Sequence, residues 1–188
     1  MTMTPDIQSL VRRIETLEAE AEIRRIQARY FFLCDTPIPE FGIDTDAERI
    51  DAILELFDET AVWEGVGEFY AGQFGRVEGK AGLRKHFENF WGSRQDPKLI
   101  LNCHYLTTEQ IHVAADGMTA EANWVHMQPW LFSDGKALLR SSRLWNAFRK
   151  CEDGKWRYTR NRTENVFVAP LPATWASDYP QQSVLMQP

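Results

Sequence analysis

The sequence predicts an α+β fold, in which N-terminal helices pack against a curved antiparallel sheet to form a cone. Two observations predict it. Up to residue 91, apolar residues recur mainly at spacings of three and four, as in amphipathic helices. Later segments alternate like strands and are separated by Asp-Gly turns at 115–117, 133–135 and 152–154. Helices followed by an antiparallel meander indicate an α+β class. A strongly curved sheet around helices can enclose a small ligand.

The segment 22–35 gives the clearest helical signal. Its apolar stripe continues upstream through a lead-in over residues 1–20, predicted as a separate helix or an arm. Thr36-Pro37 is expected to end the helix just after Asp35. Since the helix dipole disfavours a carboxylate there, Asp35 needs a compensating partner, and a histidine is a natural candidate. Alternatively, Asp35 is a solvated helix end and Tyr30 a core aromatic.

The next segments mix loop, helix and short strand. Residues 36–45 are rich in proline and glycine and predict a long loop, followed by a helix capped by Thr45 or Asp46. Residues 61–64 predict a short strand, and the glycine- and aromatic-rich stretch 65–75 predicts a hairpin. A third helix is predicted over 79–91.

The remaining strands are predicted over 99–113, 118–132, 138–150 and 155–165, and alternation assigns their faces. In the second strand, Trp124 and His126 point inward because the alternate positions are polar. Asn146 lies on the inner face of the third strand. Continued alternation from Tyr158 puts Arg162 inside as well. His104 lies on the first strand, where alternation does not decide the face.

Several polar side chains are thus predicted to point into an aromatic interior, where each costs about 1–3 kcal/mol unless it is paired. One inward histidine alone is usually a satisfied core residue. A functional pocket is indicated because a set of residues from different elements is predicted to converge, namely Tyr30, Asp35, His104, His126, Asn146 and Arg162.

Composition excludes several classes. A net charge of -6 and a pI of about 5.3 argue against nucleic-acid binding. The sequence has no bilayer-length apolar run and no signal-peptide pattern, and its three cysteines form no CxxC pair, so we expect no membrane association and a reducing cytoplasm. The four histidines form no metal motif, and glycine-rich nucleotide motifs are lacking, so neither a metal nor a cofactor is expected. We expect one domain over 1–168 and an extended proline-rich tail over 169–188.

These residues carry a family likeness. IRRIQARY at 23–30 with Asp35, AVW at 61–63, VEGK at 77–80 and DGKW at 153–156, together with His104, resemble the SnoaL-like branch of the NTF2-like superfamily. That group includes scytalone dehydratase, bile acid 7α-dehydratase, hexachlorocyclohexane dehydrochlorinase and diarylpropane lyase. The resemblance implies a cone-shaped barrel and cofactor-free chemistry with an Asp–His pair, matched here by Asp35 and His104. It also implies a catalytic role for Tyr30, and the fold commonly forms oligomers, so we expect a dimer or trimer.

The predicted function is a lyase that acts on a small aromatic or polycyclic hydroxy substrate by dehydration or by retro-aldol-type elimination. His104 would be the general base and Asp35 its orienting partner. Tyr30 and Arg162 would stabilise the developing oxyanion, and His126 would protonate the leaving oxygen. Asn146, Trp124 and Phe31 would bind substrate. Two alternatives remain open, an isomerase or cyclase using the same pocket and a non-catalytic subunit like a ring-hydroxylating dioxygenase beta chain.

Overall fold

The structure, a computed structural model, describes residues 6–91 and 96–176. The helices are α1 Ile7–Cys34, α2 Asp46–Glu55, α3 Glu68–Gln73 and α4 Gly79–Trp91. The strands are β1 Phe57–Val66, β2 Arg76–Glu78, β3 Leu99–Asn102, β4 Tyr105–Val113, β5 Thr119–Phe132, β6 Ala137–Lys150 and β7 Trp156–Pro170. A short 3₁₀ turn follows at Ala173–Ala176.

The strands form one curled sheet in the order β2-β1-β7-β6-β5-β3, and β4 also pairs with β5. Strands β4 to β7 form the predicted meander through three tight turns, in each of which the glycine has a positive φ. The pairing of β1 with β7 is parallel, so the sheet is mixed rather than purely antiparallel. Helices and sheet enclose one apolar core, and the predicted α+β fold class is confirmed.

Helix α1 is continuous, so the lead-in and the segment 22–35 are one element. Its side chains are largely buried only from Ala19 onward, whereas apolar residues of its first half are exposed. The helix ends at Cys34, one residue before the predicted end, and Asp35 follows it in an extended conformation two residues before Pro37. A capping box made by Thr45 and Glu48 begins α2, which confirms Thr45 as the cap.

The hairpin predicted over 65–75 is wrong, because this segment contains α3. Gly67 starts the helix with a φ of 84°, and the backbone N–H of Gly65 donates to the carbonyl of Gly75 at 2.8 Å, which closes the excursion into a compact loop. A Cβ at Gly65 would lie 2.7 Å from the Tyr70 carbonyl oxygen, so only glycine fits there. Helix α3 consequently packs close to β1 at one end of the sheet.

The single strand predicted over 99–113 is divided at Cys103 and His104. From Leu101 to Thr107 the register with β5 is continuous across the break, which sets the dividing residues opposite Gln128 and Pro129. Pro129 has no N–H to donate to the ladder, and the N–H of His104 donates elsewhere, as described below. The break follows from these two missing ladder hydrogen bonds.

The inward orientation predicted for Arg162 is wrong. On β6, Ala147 pairs with Arg160 and Phe148 pairs with Tyr158, so β7 has one extra residue at Thr159. This bulge reverses the alternation, because one inserted residue moves every later side chain to the opposite face. Asn161 is buried inside, and Arg162 lies on the outer face beside Trp145 and Glu164.

The predicted tail begins in regular structure, since β7 continues to Pro170. The predicted boundary between a domain over 1–168 and a tail over 169–188 stays a prediction, because residues 177–188 lie outside the described residues.

Candidate active site

A cavity of about 570 Å³, including its mouth, lies between the concave face of the sheet and the helices. Its wall is mostly aromatic, with a few polar groups. The lining residues come from every layer of the fold and include Tyr30, Phe31, Trp63, Tyr70, Phe74, His86, Asn102, His104, His126, Gln128, Trp130, Asn161 and Thr163. Such a mixture is typical of a small-molecule site.

His104 lines this cavity, and Asp35 contacts His104 from behind the wall. The Nδ1 atom of His104 lies 2.7 Å from Oδ1 of Asp35, and the same oxygen accepts the backbone N–H of His104 at 3.0 Å. The side chain of Asp35 is only 13% exposed and that of His104 only 7%. Asp35 ends α1 and His104 lies in the break between β3 and β4, so two irregular points of the backbone meet here.

Asn102 fixes this meeting point. Its side-chain amide donates to the Cys34 carbonyl at 3.0 Å, which satisfies one of the last carbonyls of α1. Its backbone exchanges two hydrogen bonds with Thr36, of 2.9 and 3.0 Å. The end of α1 is therefore clamped to β3 on both sides of Asp35, which holds the carboxylate against His104.

Burial dominates the acid–base properties of the pair. Loss of hydration raises the pKa of Asp35 to about 7, although the His104 N–H, the Cys103 thiol and the Arg49 guanidinium oppose this rise. Burial lowers the pKa of His104, so its imidazole is neutral at physiological pH. With Asp35 ionised, Nδ1–H of His104 donates to the carboxylate and the lone pair of Nε2 is free to accept a proton.

Phe31 and His126 complete the surroundings of His104. The Phe31 ring packs 4.3 Å from the His104 ring and 5.5 Å from that of His126, and the two imidazoles are 5.5 Å apart between centroids. His126 is buried, and neither of its ring nitrogens has a hydrogen-bond partner in the described part of the chain. Burial and the neighbouring His104 and Arg140 lower the pKa of His126, so it is a neutral group on the cavity wall.

Tyr30 also reaches the cavity, one helical turn before Cys34. Its hydroxyl oxygen accepts the indole N–H of Trp63 at 2.8 Å. Burial raises the pKa of Tyr30 well above 10, so the phenol keeps its proton at neutral pH and can act as a donor.

Three predicted site residues lie elsewhere. Asn146 is buried as predicted but donates to Gln27 at 2.8 Å, in a hydrogen-bonded group that also contains Tyr158. Trp124 faces inward and donates to Glu109 at 3.3 Å. Neither residue lines the cavity, and Arg162 lies on the outer face of the sheet.

Sequence reasoning missed other polar groups of the wall. Gln128 follows His126 by two residues on the inner face, so alternation could have found it. Asn161 and Thr163 were hidden by the bulge in β7. Like His126, each of these three side chains has a buried polar atom without a partner among the described residues.

Within the described residues, no three His, Cys, Asp or Glu side chains are placed to hold a metal ion. None of the described helices is long and apolar enough to cross a membrane.

Comparison with solved structures finds the same fold in several proteins. A hexachlorocyclohexane dehydrochlorinase, LinA-type3 from Novosphingobium barchaimii, shares 12% identity at a TM-score of 0.63, over 85% of this chain and 94% of that one. A protein assigned as a scytalone dehydratase from Novosphingobium aromaticivorans shares 13% identity at a TM-score of 0.64, over 85% and 92%. An NTF2-like protein from the same organism shares 21% identity at 0.60, over 87% and 92%.

Comparison with curated proteins gives no match. The family model described as the SnoaL-like domain matches residues 15–162, which include α1 from its third turn onward, the whole Asp35–His104 contact and most of the sheet. By this match and by its fold, the chain belongs to the SnoaL-like domain family, within the NTF2-like fold.

Proposed function

We propose that this protein is a cofactor-independent lyase that eliminates water, or a small aldehyde, from an aromatic or polycyclic hydroxy compound. The observation that carries the proposal is the 2.7 Å contact between His104 and Asp35 at the wall of an aromatic cavity. The solved structures of a dehydrochlorinase and of a protein assigned as a dehydratase on the same fold agree with this class of chemistry.

In this mechanism the Nε2 atom of His104 accepts a proton from the substrate. The carboxylate of Asp35 stabilises the imidazolium that forms and holds the ring in the productive tautomer. The low pKa that burial gives His104 keeps the base unprotonated before the reaction. Because water is largely excluded from the pair, the charge interaction in the imidazolium state is strong.

The remaining polar groups bind oxygen atoms of the substrate. Tyr30 donates its O–H to the oxygen on which negative charge develops. In dehydration, the N–H of the neutral His126 imidazole donates a hydrogen bond to the leaving oxygen, and the His104 imidazolium gives its proton to that oxygen to form water. In aldehyde loss, the proton that His104 took from the substrate hydroxyl goes instead to the carbon from which the aldehyde departs. Phe31 packs against both imidazoles and offers a ring for an aromatic substrate.

The test is product mass after incubation with a panel of hydroxylated aromatic and polycyclic compounds, with Asp35→Asn beside the wild type. We expect a product that is lighter than the substrate by the mass of water or of an aldehyde. Turnover should be about 10³–10⁴-fold slower in Asp35→Asn, since an asparagine at this position favours the wrong tautomer of His104. Asp51→Asn, at an exposed ion pair with Arg84, is the matched control and should leave turnover unchanged. Product of unchanged mass would replace the lyase by an isomerase, and equal turnover in Asp35→Asn would refute the dyad.

We also propose that the protein is a homodimer through the first half of α1. Its exposed apolar residues repeat every seven positions, with isoleucine at 7 and 14 and leucine at 10 and 17, which is the pattern that favours a parallel two-stranded coiled coil. In that arrangement Arg13 of one helix lies beside Glu18 of the other, so charge complementarity supports pairing with a second copy.

A further inference from the structure

Arg140, on β6, is a buried cation without a counter-charge among the described residues. Its side chain is 0% exposed, and no carboxylate of the described residues forms an ion pair with it. Its Nη2 donates to the side-chain oxygen of Gln73 at 2.6 Å, whereas Nε and Nη1 have no acceptor within the described chain. A guanidinium keeps its charge at neutral pH even where burial lowers its pKa, as it does here.

Aromatic rings surround this guanidinium and form an aromatic cage. The carbon Cζ lies 3.8 Å from the centroid of the Trp130 ring, 4.8 Å from Tyr70, 5.4 Å from Phe74 and 5.9 Å from Phe69. Ring faces stabilise a cation in part. The rings do not accept hydrogen bonds from the N–H groups, which point outward in the plane of the guanidinium. Nε and Nη1 therefore lack a hydrogen-bond acceptor among the described residues, at a cost in free energy that folding must offset.

The cage is part of the active-site wall. Trp130, Tyr70 and Phe74 line the cavity, and Arg140 lies behind them. Arg140 pairs across the sheet with Gln128, which is two residues from His126 on the same face. Two residues along a strand span about 7 Å, which separates the backbone positions of Gln128 and His126. The charge of Arg140 also contributes to the lowered pKa of both His104 and His126, so the guanidinium lies within electrostatic reach of the two imidazoles.

Gln73 separates Arg140 from the outside. It lines an open groove at the mouth of the cavity together with Phe74 and Trp130. Gln73 ends α3, a helix of six residues, and its side-chain oxygen occupies the position on Nη2 that a carboxylate oxygen would take in a bidentate pair. The neutral side-chain amide of Gln73 therefore occupies the position in which a carboxylate would neutralise Arg140.

We propose that Arg140 recognises an anionic group of the substrate, and that the substrate is an aromatic carboxylate. The carboxylate enters by the groove, displaces the amide oxygen of Gln73, and accepts hydrogen bonds from Nη2 and from a donor that is free in this structure. The aromatic ring then lies among the cage residues, with its far end towards His104 and His126. The catalytic meaning of this assignment rests on the proposed lyase function, but the binding site itself does not.

The experiment is calorimetric titration at neutral pH with 2-naphthoate and with its neutral isostere 2-naphthamide. We expect the carboxylate to bind at least about tenfold more tightly than the amide, because only the carboxylate supplies the missing charge. The variant Gln73→Glu places a tethered carboxylate on Arg140 and should abolish this preference. Gln110→Glu adds the same charge at an exposed position of β4 and should preserve it.

The Arg140→Met variant should also bind the two probes equally. If it does not fold, the comparison of Gln73→Glu with Gln110→Glu decides alone. Equal binding of both probes by the wild type, no binding of naphthoate at millimolar concentration, or an undiminished preference in Gln73→Glu would each overturn the site. Binding is measured without turnover, so such a failure leaves the Asp35–His104 pair untouched, and a failure of the lyase reaction leaves the anion site untouched.

Discussion

At the scale of single residues, the chemistry depends on what burial does to Asp35 and His104. An exposed aspartate would be ionised well below neutral pH, but loss of hydration raises the pKa of Asp35 to about 7. The same effect lowers the pKa of His104. The base form of the pair, with an ionised carboxylate and a neutral imidazole, therefore becomes dominant only as the pH rises through about 7.

The pKa of Asp35 therefore predicts that activity decreases as the pH falls below 7. We expect kcat/KM to fall about tenfold per pH unit below pH 7 and to be constant above it, because protonation of Asp35 removes the group that stabilises the imidazolium. The measurement is a pH–rate profile on the substrate identified from the panel. In Asp35→Asn the low residual rate should lack this ionisation. A rate that is constant down to pH 5 would contradict the assignment.

At the scale of elements, two irregular points of the backbone create the site. The C-terminal end of α1 and the break between β3 and β4 meet at Asn102, which ends β3 and hydrogen-bonds to Cys34 and Thr36 on either side of Asp35. We expect Asn102→Ala to lower the free energy of unfolding by about 1–3 kcal/mol, because the Cys34 carbonyl loses its buried partner. Turnover should fall as well, since Asp35 is no longer held against His104.

Chemical denaturation of Asn102→Ala measures the first effect. Asn123→Ala, at a partly exposed position of the same sheet, is the matched control and should change stability by less than about 0.5 kcal/mol. Equal stability of the two variants would show that the clamp has no energetic role.

The bulge in β7 makes a second prediction at this scale. Arg162 lies on the outer face, so Arg162→Met should keep turnover within about twofold of the wild type. Asn161→Ala, on the inner face next to it, should reduce turnover because Asn161 lines the cavity. If a steady-state assay showed a larger loss of turnover in Arg162→Met than in Asn161→Ala, Arg162 would instead lie on the inner face, as simple alternation predicts.

These cases show where sequence reasoning succeeds and where it stops. Periodicity and turn residues act locally, so the helices around residues 22–35, 46–55 and 79–91 and the three hairpin turns are readable from the chain. A bulge such as the one at Thr159 depends on how two strands pair, and nothing in the local pattern marks it. The contact of Asp35 with His104 was inferred from residue types and family resemblance, whereas the arginine behind Gln73 needed the structure.

At the scale of the whole molecule, the first half of α1 is an apolar surface without a cover in the described chain. We expect a dimer by light scattering, because the heptad pattern and the Arg13–Glu18 pairing favour a second copy. Ile14→Arg should give monomers. Arg13→Glu should weaken the dimer through repulsion with Glu18, and the double variant Arg13→Glu/Glu18→Arg should restore it. A wild-type monomer at micromolar concentration would exclude this interface.

In the proposed mechanism, Asp35 fixes His104 as a neutral base with Nε2 free. Nitrogen NMR of protein labelled with ¹⁵N-histidine tests this without any substrate. Above pH 7 we expect the His104 signals of an Nδ1–H tautomer with an unprotonated Nε2, and we expect this tautomer preference to be lost in Asp35→Asn. An Nε2–H tautomer for His104, or a spectrum unaffected by Asp35→Asn, would contradict the account.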